Sequence, residues 1–172
     1  MEIEQVGPGN GAVVAELAEI LVDCVDGGAS LGFLAGLTHG QAEDFWRGAL
    51  AGDGLTWVAR DGGGRAVGTV RLLLASQPNG AHRGEVAKLM VRSDARGHGW
   101  AGALLAALED AARDLGRTLL VLDTGTGSPA AGFYERRGWR RVGVIEDYAA
   151  RTDGRLAATT VMSKRLVRSA RQ

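Results

Sequence analysis

The residues best placed to do chemistry lie in one turn, Arg96-Gly97-His98-Gly99-Trp100-Ala101-Gly102. An apolar run that reads as a buried strand, Val86 to Val91, precedes it. After it, Trp100, Leu104, Leu108, Ala111 and Leu115 recur at helical spacing, with Glu109, Asp110, Arg113 and Asp114 on the other faces. Glycines in such a turn let backbone N–H groups converge on an anion, and the start of a helix adds partial positive charge. The chemistry this spacing suits is the cradling of a phosphate, with Arg96 as a charge-assisted contact.

Two patterns fit the same glycines. Gly97-x-Gly99-x-x-Gly102 matches the dinucleotide fingerprint, and Asp123 follows about twenty residues on, as that motif asks. Three features oppose an NAD-linked oxidoreductase. Arg92 to Arg96 separate the turn from its strand, hairpin strands precede it in place of βαβ crossovers, and too little chain follows for a second half-site. The competing pattern is Arg96-x-x-Gly99-x-Ala101, entered from Leu89-Met90-Val91. It resembles the acyl-CoA signature of the Gcn5-related N-acetyltransferase (GNAT) superfamily. A second element, Ala130-Ala131-Gly132-Phe133-Tyr134-Glu135-Arg136-Arg137-Gly138-Trp139, resembles the later motif of that superfamily, in the right order.

The resemblance is most detailed toward the tabtoxin-resistance branch, whose members acetylate a β-lactam amino-acid toxin. Its carriers are Val25 to Phe33, Gln77-Pro78-Asn79-Gly80, Glu85 to Val91, Leu122-Asp123-Thr124 and Thr152 to Leu156. Trp100 departs from the pattern, standing where a small or aliphatic residue is usual.

What the resemblance implies is specific. The cosubstrate is acetyl-CoA, and the acceptor is a small amine. The implied cofactor-binding residues are Leu89, Met90 and Val91 on the strand, Arg96, Gly97, His98, Gly99, Trp100 and Ala101 in the turn, and Phe133 beyond it. Leu89 and Val91 would contribute main-chain groups, one of them polarising the thioester carbonyl. Tyr134 is the implied acid for the departing thiolate, and Glu85 and Asp123 the groups that take or hold the ammonium proton. Each has a plainer reading. Phe133 and Tyr134 could be core aromatics, Asp123 a turn residue accepting N–H bonds at Thr124-Gly125, and Glu85 a solvated strand-edge charge.

The elements that must position these residues follow from periodicity and turn chemistry. Strands are expected at Glu2 to Val6, Leu55 to Arg60, Ala66 to Ala75, Gly84 to Val91, Thr118 to Leu122, Trp139 to Ile145 and Thr159 to Ser163. Helices are expected at 11–25, Gln41 to Leu50, after the glycine turn, and at Pro129 to Arg137 with Gly138 as a stop. This is an α/β (α+β) single domain over residues 1–166 with a mixed central sheet flanked by helices, and residues 167–172 form a tail. The resemblance adds splayed central parallel strands.

Composition narrows the rest. The 172 residues suit one domain. Twenty basic and twenty acidic residues give zero net charge, so nucleic acid and membrane surfaces are not expected partners. Arg165, Arg168 and Arg171 read as a solvated end. One cysteine, Cys24, in an apolar helix excludes an internal disulfide and reads as core. Three scattered histidines give no metal cluster. His39 and His82 read as surface residues, and Trp46 and Trp57 as core. With no signal-like or membrane-spanning run, the expected location is the cytoplasm. Exposed late strands would allow a homodimer. The expected activity is direct acetyl transfer in a ternary complex, against a non-catalytic acyl-CoA sensor as the rival from another class. Asp26 and the Gly27-Gly28-Ala29-Ser30 loop are expected to shape the acceptor site.

Overall fold

Apolar residues at helical spacing nucleate the first layer. In a computed structural model describing residues 1–9 and 11–167, α1 (Gly11–Asp26) buries Val13, Leu17, Ile20, Leu21 and Cys24. The second helix, α2 (His39–Ala51), starts earlier than its apolar residues suggest because Thr38 caps it. The Thr38 hydroxyl accepts from the Gln41 backbone at 3.3 Å, while the Gln41 side chain accepts from the Thr38 backbone at 3.0 Å.

The remaining elements are β1 (Glu2–Val6), β2 (Leu55–Arg60), β3 (Ala66–Leu74), β4 (Arg83–Val91), α3 (Trp100–Asp114), β5 (Leu119–Gly125), α4 (Pro129–Glu135), β6 (Arg140–Ala150) and β7 (Leu156–Arg165). Their order is the one expected. They form a seven-stranded mixed sheet, β1-β2-β3-β4-β5-β7-β6, in which β4–β5 is the parallel pair. One core, under α1 and α2, contains Leu17, Leu21, Trp46, Val58 and Met90. The other, under α3 and α4, contains Trp57, Val70, Leu72, Leu104, Leu108, Leu120 and Tyr134. The sheet therefore separates two cores, one under each helix pair.

Several local expectations need correction. Along α3 the buried stripe is Leu104, Leu105, Leu108, Glu109 and Ala112, whereas Leu115 is exposed. Glu109 turns inward because the Lys164 ammonium and the Trp139 indole meet it there. The last two strands are longer than expected, since β6 is an exposed edge whose residues need no apolar alternation. The run Val86 to Val91 is not uniformly buried; Ala87, Lys88, Leu89 and Val91 are half-exposed because β5 leaves their flank. The successive βαβ crossovers of a dinucleotide fold are absent, the pairings from β1 to β4 all being antiparallel. His39 and His82 are exposed, and Trp46, Trp57 and Cys24 are buried, as expected. Arg168 and Arg171, with most of the expected tail, lie outside the described residues. Among the described residues no helix is long and apolar enough to cross a membrane.

Candidate active site

A bulge opens the sheet. Between β3 and β4 the register passes from Arg71↔Ala87 to Thr69↔Met90, so β4 carries one extra residue in that step. Lys88 takes up the excess at φ +53°, a left-handed conformation that L-residues rarely adopt. A bulge bends its strand and sharpens the local twist. Here β4 turns away from β5, whose parallel pairing stops at Glu85↔Val121. Beyond that point β5 pairs with β7 alone through Gly125↔Thr159. The result is a cleft walled by two backbone edges, and Leu89, Met90 and Val91 lie along one of them.

The cleft runs toward the glycine turn. A short 3-10 turn, Ser93–Ala95, occupies the gap after β4. Gly97 and Gly99 then take φ +82° and +84°, open to glycine without strain. Gly99 is the N-cap of α3 and has no side chain to satisfy the first-turn amides. The first intrahelical bond runs from Ala103 to the Gly99 carbonyl at 3.1 Å, leaving the N–H groups of Trp100, Ala101 and Gly102 without helical partners. An uncapped helix start beside an open backbone cleft fits the diphosphate and the extended amide arm of acetyl-CoA.

Individual turn residues behave differently from one another. Arg96 folds back, its Nε donating to the Val91 carbonyl at 3.2 Å, so it braces the turn against the strand end. His98 keeps its Nδ1 2.9 Å from the Arg96 carbonyl, a turn-local contact. Trp100 packs its indole on the α3/α4 core, which accommodates the departure from a small residue. A Cβ on Gly102 would lie 2.7 Å from Nη2 of Arg137. The third glycine of the dinucleotide-like pattern thus admits an arginine from beyond α4. That guanidinium stacks 3.9 Å from the centroid of the Phe133 ring.

Three titratable groups lie on the elements around the parting of β4 and β5: Glu85 on β4, Asp123 on β5 and Tyr134 on α4. Strand alternation places Glu85, which precedes Val86 of the α3/α4 core, on the α1/α2 face. Asp123, following Leu122 of that core, shares this face. The Thr159 hydroxyl donates to Asp123 Oδ2 at 2.8 Å and holds the carboxylate, in place of the backbone N–H bonds of the plainer reading. Tyr134 comes from the opposite layer, its ring 5.2 Å from Phe133 and 5.6 Å from Trp139, centroid to centroid. Desolvation and then the Asp123 charge raise Glu85 above the ordinary glutamate range, with Arg83 and Lys88 opposing. Burial first, and Asp123 second, push the Tyr134 phenol well above its ordinary value. Asp123 is thus within electrostatic reach of both groups.

Lys88 and Arg71 were not singled out from sequence. The available signal was a lysine interrupting the apolar run Val86 to Val91; Arg71 offered only a charge inside the strand Ala66 to Ala75. Among the described residues no group of three or more metal-ligating side chains forms.

The family profile described as Acetyltransferase (GNAT) family matches residues 17–139, a span holding the bulge, the cleft, the turn and Tyr134. The chain belongs to the GNAT family. It is accordingly an acetyl-CoA-dependent N-acetyltransferase. Solved structures agree on the GNAT fold. Ribosomal-protein-alanine N-acetyltransferase from Brucella melitensis superposes with a TM-score of 0.76 at 22% identity, covering 96% of this chain and 100% of the other. A GNAT superfamily phosphinothricin acetyltransferase from Sinorhizobium meliloti, solved in complex with AcCoA, gives 0.74 at 18% identity, covering 96% and 89%. Aminoglycoside 6'-acetyltransferase type Ii gives 0.76 at 19% identity, covering 97% and 98%.

Proposed function

We propose that this GNAT enzyme acetylates the amine of a small molecule by direct transfer in a ternary complex, with amino-acid-like toxins or antibiotics as the acceptor class. The observation that carries this is the parting of β4 from β5 after Glu85↔Val121, with Glu85 and Asp123 on the two strands that flank it. The acceptor class is supported by the resemblance to the tabtoxin-resistance branch and by neighbours named for phosphinothricin and aminoglycosides.

Bound acetyl-CoA supplies an activated acyl carbon on sulfur. The backbone edge at Leu89 to Val91 and the turn at Arg96 to Ala101 hold it, with Phe133 alongside. Glu85 and Asp123 orient the ammonium group and accept one proton, directly or through water, which frees the nitrogen lone pair to bond to the acyl carbon; the second N–H proton leaves as the amide forms and replaces the one that Tyr134 gives to sulfur. Tyr134 gives its proton to the sulfur as the C–S bond breaks. Cys24 is buried, hydrogen-bonded toward the Val91 carbonyl at 3.6 Å, and its thiol is pushed up by burial. A covalent cysteine step plays no part in the reading.

Calorimetric titration with acetyl-CoA, followed by CoA release across a panel of amines that includes β-lactam amino acids, tests the proposal. Tight binding without release for any amine would return the sensor reading, and absence of binding would end both. Glu85 supplies a sharper check. It must be ionised to accept a proton, and its value is raised, so kcat/KM should fall on the acid side at a pH above the ordinary glutamate range. Glu85→Gln should remove that limb and lower kcat/KM by about 100-fold. An unchanged limb in the variant would assign it elsewhere.

The same reading includes a homodimer. The edge strand β6 leaves Val142, Val144, Ile145 and Tyr148 exposed, and an unpaired apolar edge favours self-association. Sedimentation should give a dimer mass, and Val144→Lys should give a monomer; a monomeric parent protein would refute the dimer.

A further inference from the structure

Four charged side chains share the α1/α2 face at the cleft: Glu85 and Asp123, Arg71 and Lys88. Arg71 is buried, 7% exposed, and is satisfied by neutral oxygens alone. Its Nε donates to Thr56 Oγ1 at 3.2 Å and its Nη2 to the Ala49 carbonyl at 2.5 Å. Lys88 Nζ donates to the Leu31 carbonyl at 2.7 Å and lies 5.7 Å and 5.3 Å from the ring centroids of Phe33 and Phe45. These contacts use one of its three N–H donors.

Among the described residues neither cation forms an ion pair with a carboxylate, although Lys88 feels the charges of Arg71, Asp123 and Glu85 together. A buried guanidinium with a half-exposed ammonium in its electrostatic reach, and no carboxylate on either, is costly, and folded proteins resolve such sites by pairing. With Arg71 and Lys88 held by neutral oxygens, that pairing is left to a ligand. On this face the loop joining α1 to α2 is tied to Lys88 at Leu31 and to the β6–β7 turn by the bond from Ala35 N–H to the Thr152 carbonyl at 2.9 Å. The loop bears a hollow of about 280 Å³ lined by Phe33 to Leu37 and Gln41, room for a small molecule only. The left-handed backbone at Lys88 aims a long cation into this region, a strained geometry of the kind that persists at functional positions.

We propose that the acceptor carries a carboxylate as well as its reacting amine: the Lys88 ammonium binds the carboxylate, the Arg71 guanidinium reinforces it from behind, and the amine faces Glu85 and Asp123. Two cations and two anions on one face complement a zwitterion and disfavour polyamines, which would set ammonium against ammonium. This rests on the N-acetyltransferase reading above and assigns its acceptor subsite.

The test is CoA release from matched pairs: L-alanine with L-alaninamide, L-methionine with L-methioninamide, and L-lysine with cadaverine. The parent enzyme should favour the carboxylate-bearing member by at least about tenfold in kcat/KM for the accepted pair. Lys88→Met should bring that ratio near one, chiefly by raising KM for the acid, and Lys88→Arg should restore part of it. A purely structural clamp on Leu31 would change stability but leave the ratio alone. The parent preference needs no variant, so poor folding of Lys88→Met does not remove the test. Equal use of both members, a ratio unmoved in the variant, or a wholly inert panel with acetyl-CoA bound would each overturn the carboxylate subsite while sparing the cofactor site. Failure to bind acetyl-CoA would instead overturn the parent reading.

Discussion

Tyr134→Phe is expected to lower kcat by about 100- to 1,000-fold, equivalent to about 3–4 kcal/mol of transition-state stabilisation, while leaving acetyl-CoA affinity and folding stability near the parent values. The physical case starts from the leaving group, a thiolate that departs more readily when a proton reaches it. The Tyr134 ring stays packed in the variant, since the edge contacts to Phe133 at 5.2 Å and Trp139 at 5.6 Å involve the ring and not the hydroxyl. What is lost is one proton. Burial and Asp123 hold the phenol well above its ordinary value, so it remains protonated through the whole working range. A donor required in its acid form and raised in this way contributes no basic limb near the usual tyrosine value. The pH profile of the parent should show none from this group. Calorimetry, thermal unfolding and CoA release on the same preparation separate the possibilities. Retention of kcat within about threefold would return Tyr134 to the core-aromatic reading, given the size expected of acid catalysis.

How much of this was legible depends on whether a feature is written locally. The order of elements was legible because α1 repeats its apolar residues at helical spacing and because Asp61 to Gly64 and Gly97 to Gly99 demand turns. Tyr134 was found through a local motif. The opening of the sheet was not legible as geometry: it comes from one extra residue at Lys88, and a bulge leaves no alternation signature when both neighbouring residues are half-buried. The pairing of β3 with β4 had to be seen before Lys88 could be placed beside Phe33 and Phe45. The same holds for Arg71, whose partners come from α2 and β2. Arg96 shows the same dependence on the folded chain. A phosphate contact was expected, and the folded turn instead engages its side chain with the Val91 carbonyl. The inward turn of Glu109 was hidden for a similar reason, since its partners lie 30 and 55 residues away along the chain.

That buried glutamate yields the largest expected effect on stability. Its side chain is 8% exposed, and Lys164 Nζ donates to both oxygens, at 2.8 Å and 2.7 Å. Trp139 Nε1 donates to Oε1 at 3.2 Å, and Arg113 stands 3.5 Å from Oε2. The cluster ties α3 to β7 and to Trp139, just before β6, whose ring packs against Tyr134. Lys164→Met removes the closer cation and leaves the carboxylate buried with a longer arginine contact, so a loss of about 3 kcal/mol is expected. Glu109→Met should cost less, because the Lys164 side chain, 18% exposed, can carry its charge toward water on a flexible stem. Combining the two changes should recover most of the loss seen for Lys164→Met. Neither charge is then stranded, and the residual penalty is about 1 kcal/mol for an indole N–H without an acceptor. Urea unfolding with a constant m-value measures all three. A double variant as unstable as the sum of the singles would mean that packing, and not the unpaired charge, sets the cost. The distinction matters for the site, because an apolar replacement would preserve the placement of α4 while removing the Glu109–Lys164 charge pair from behind it.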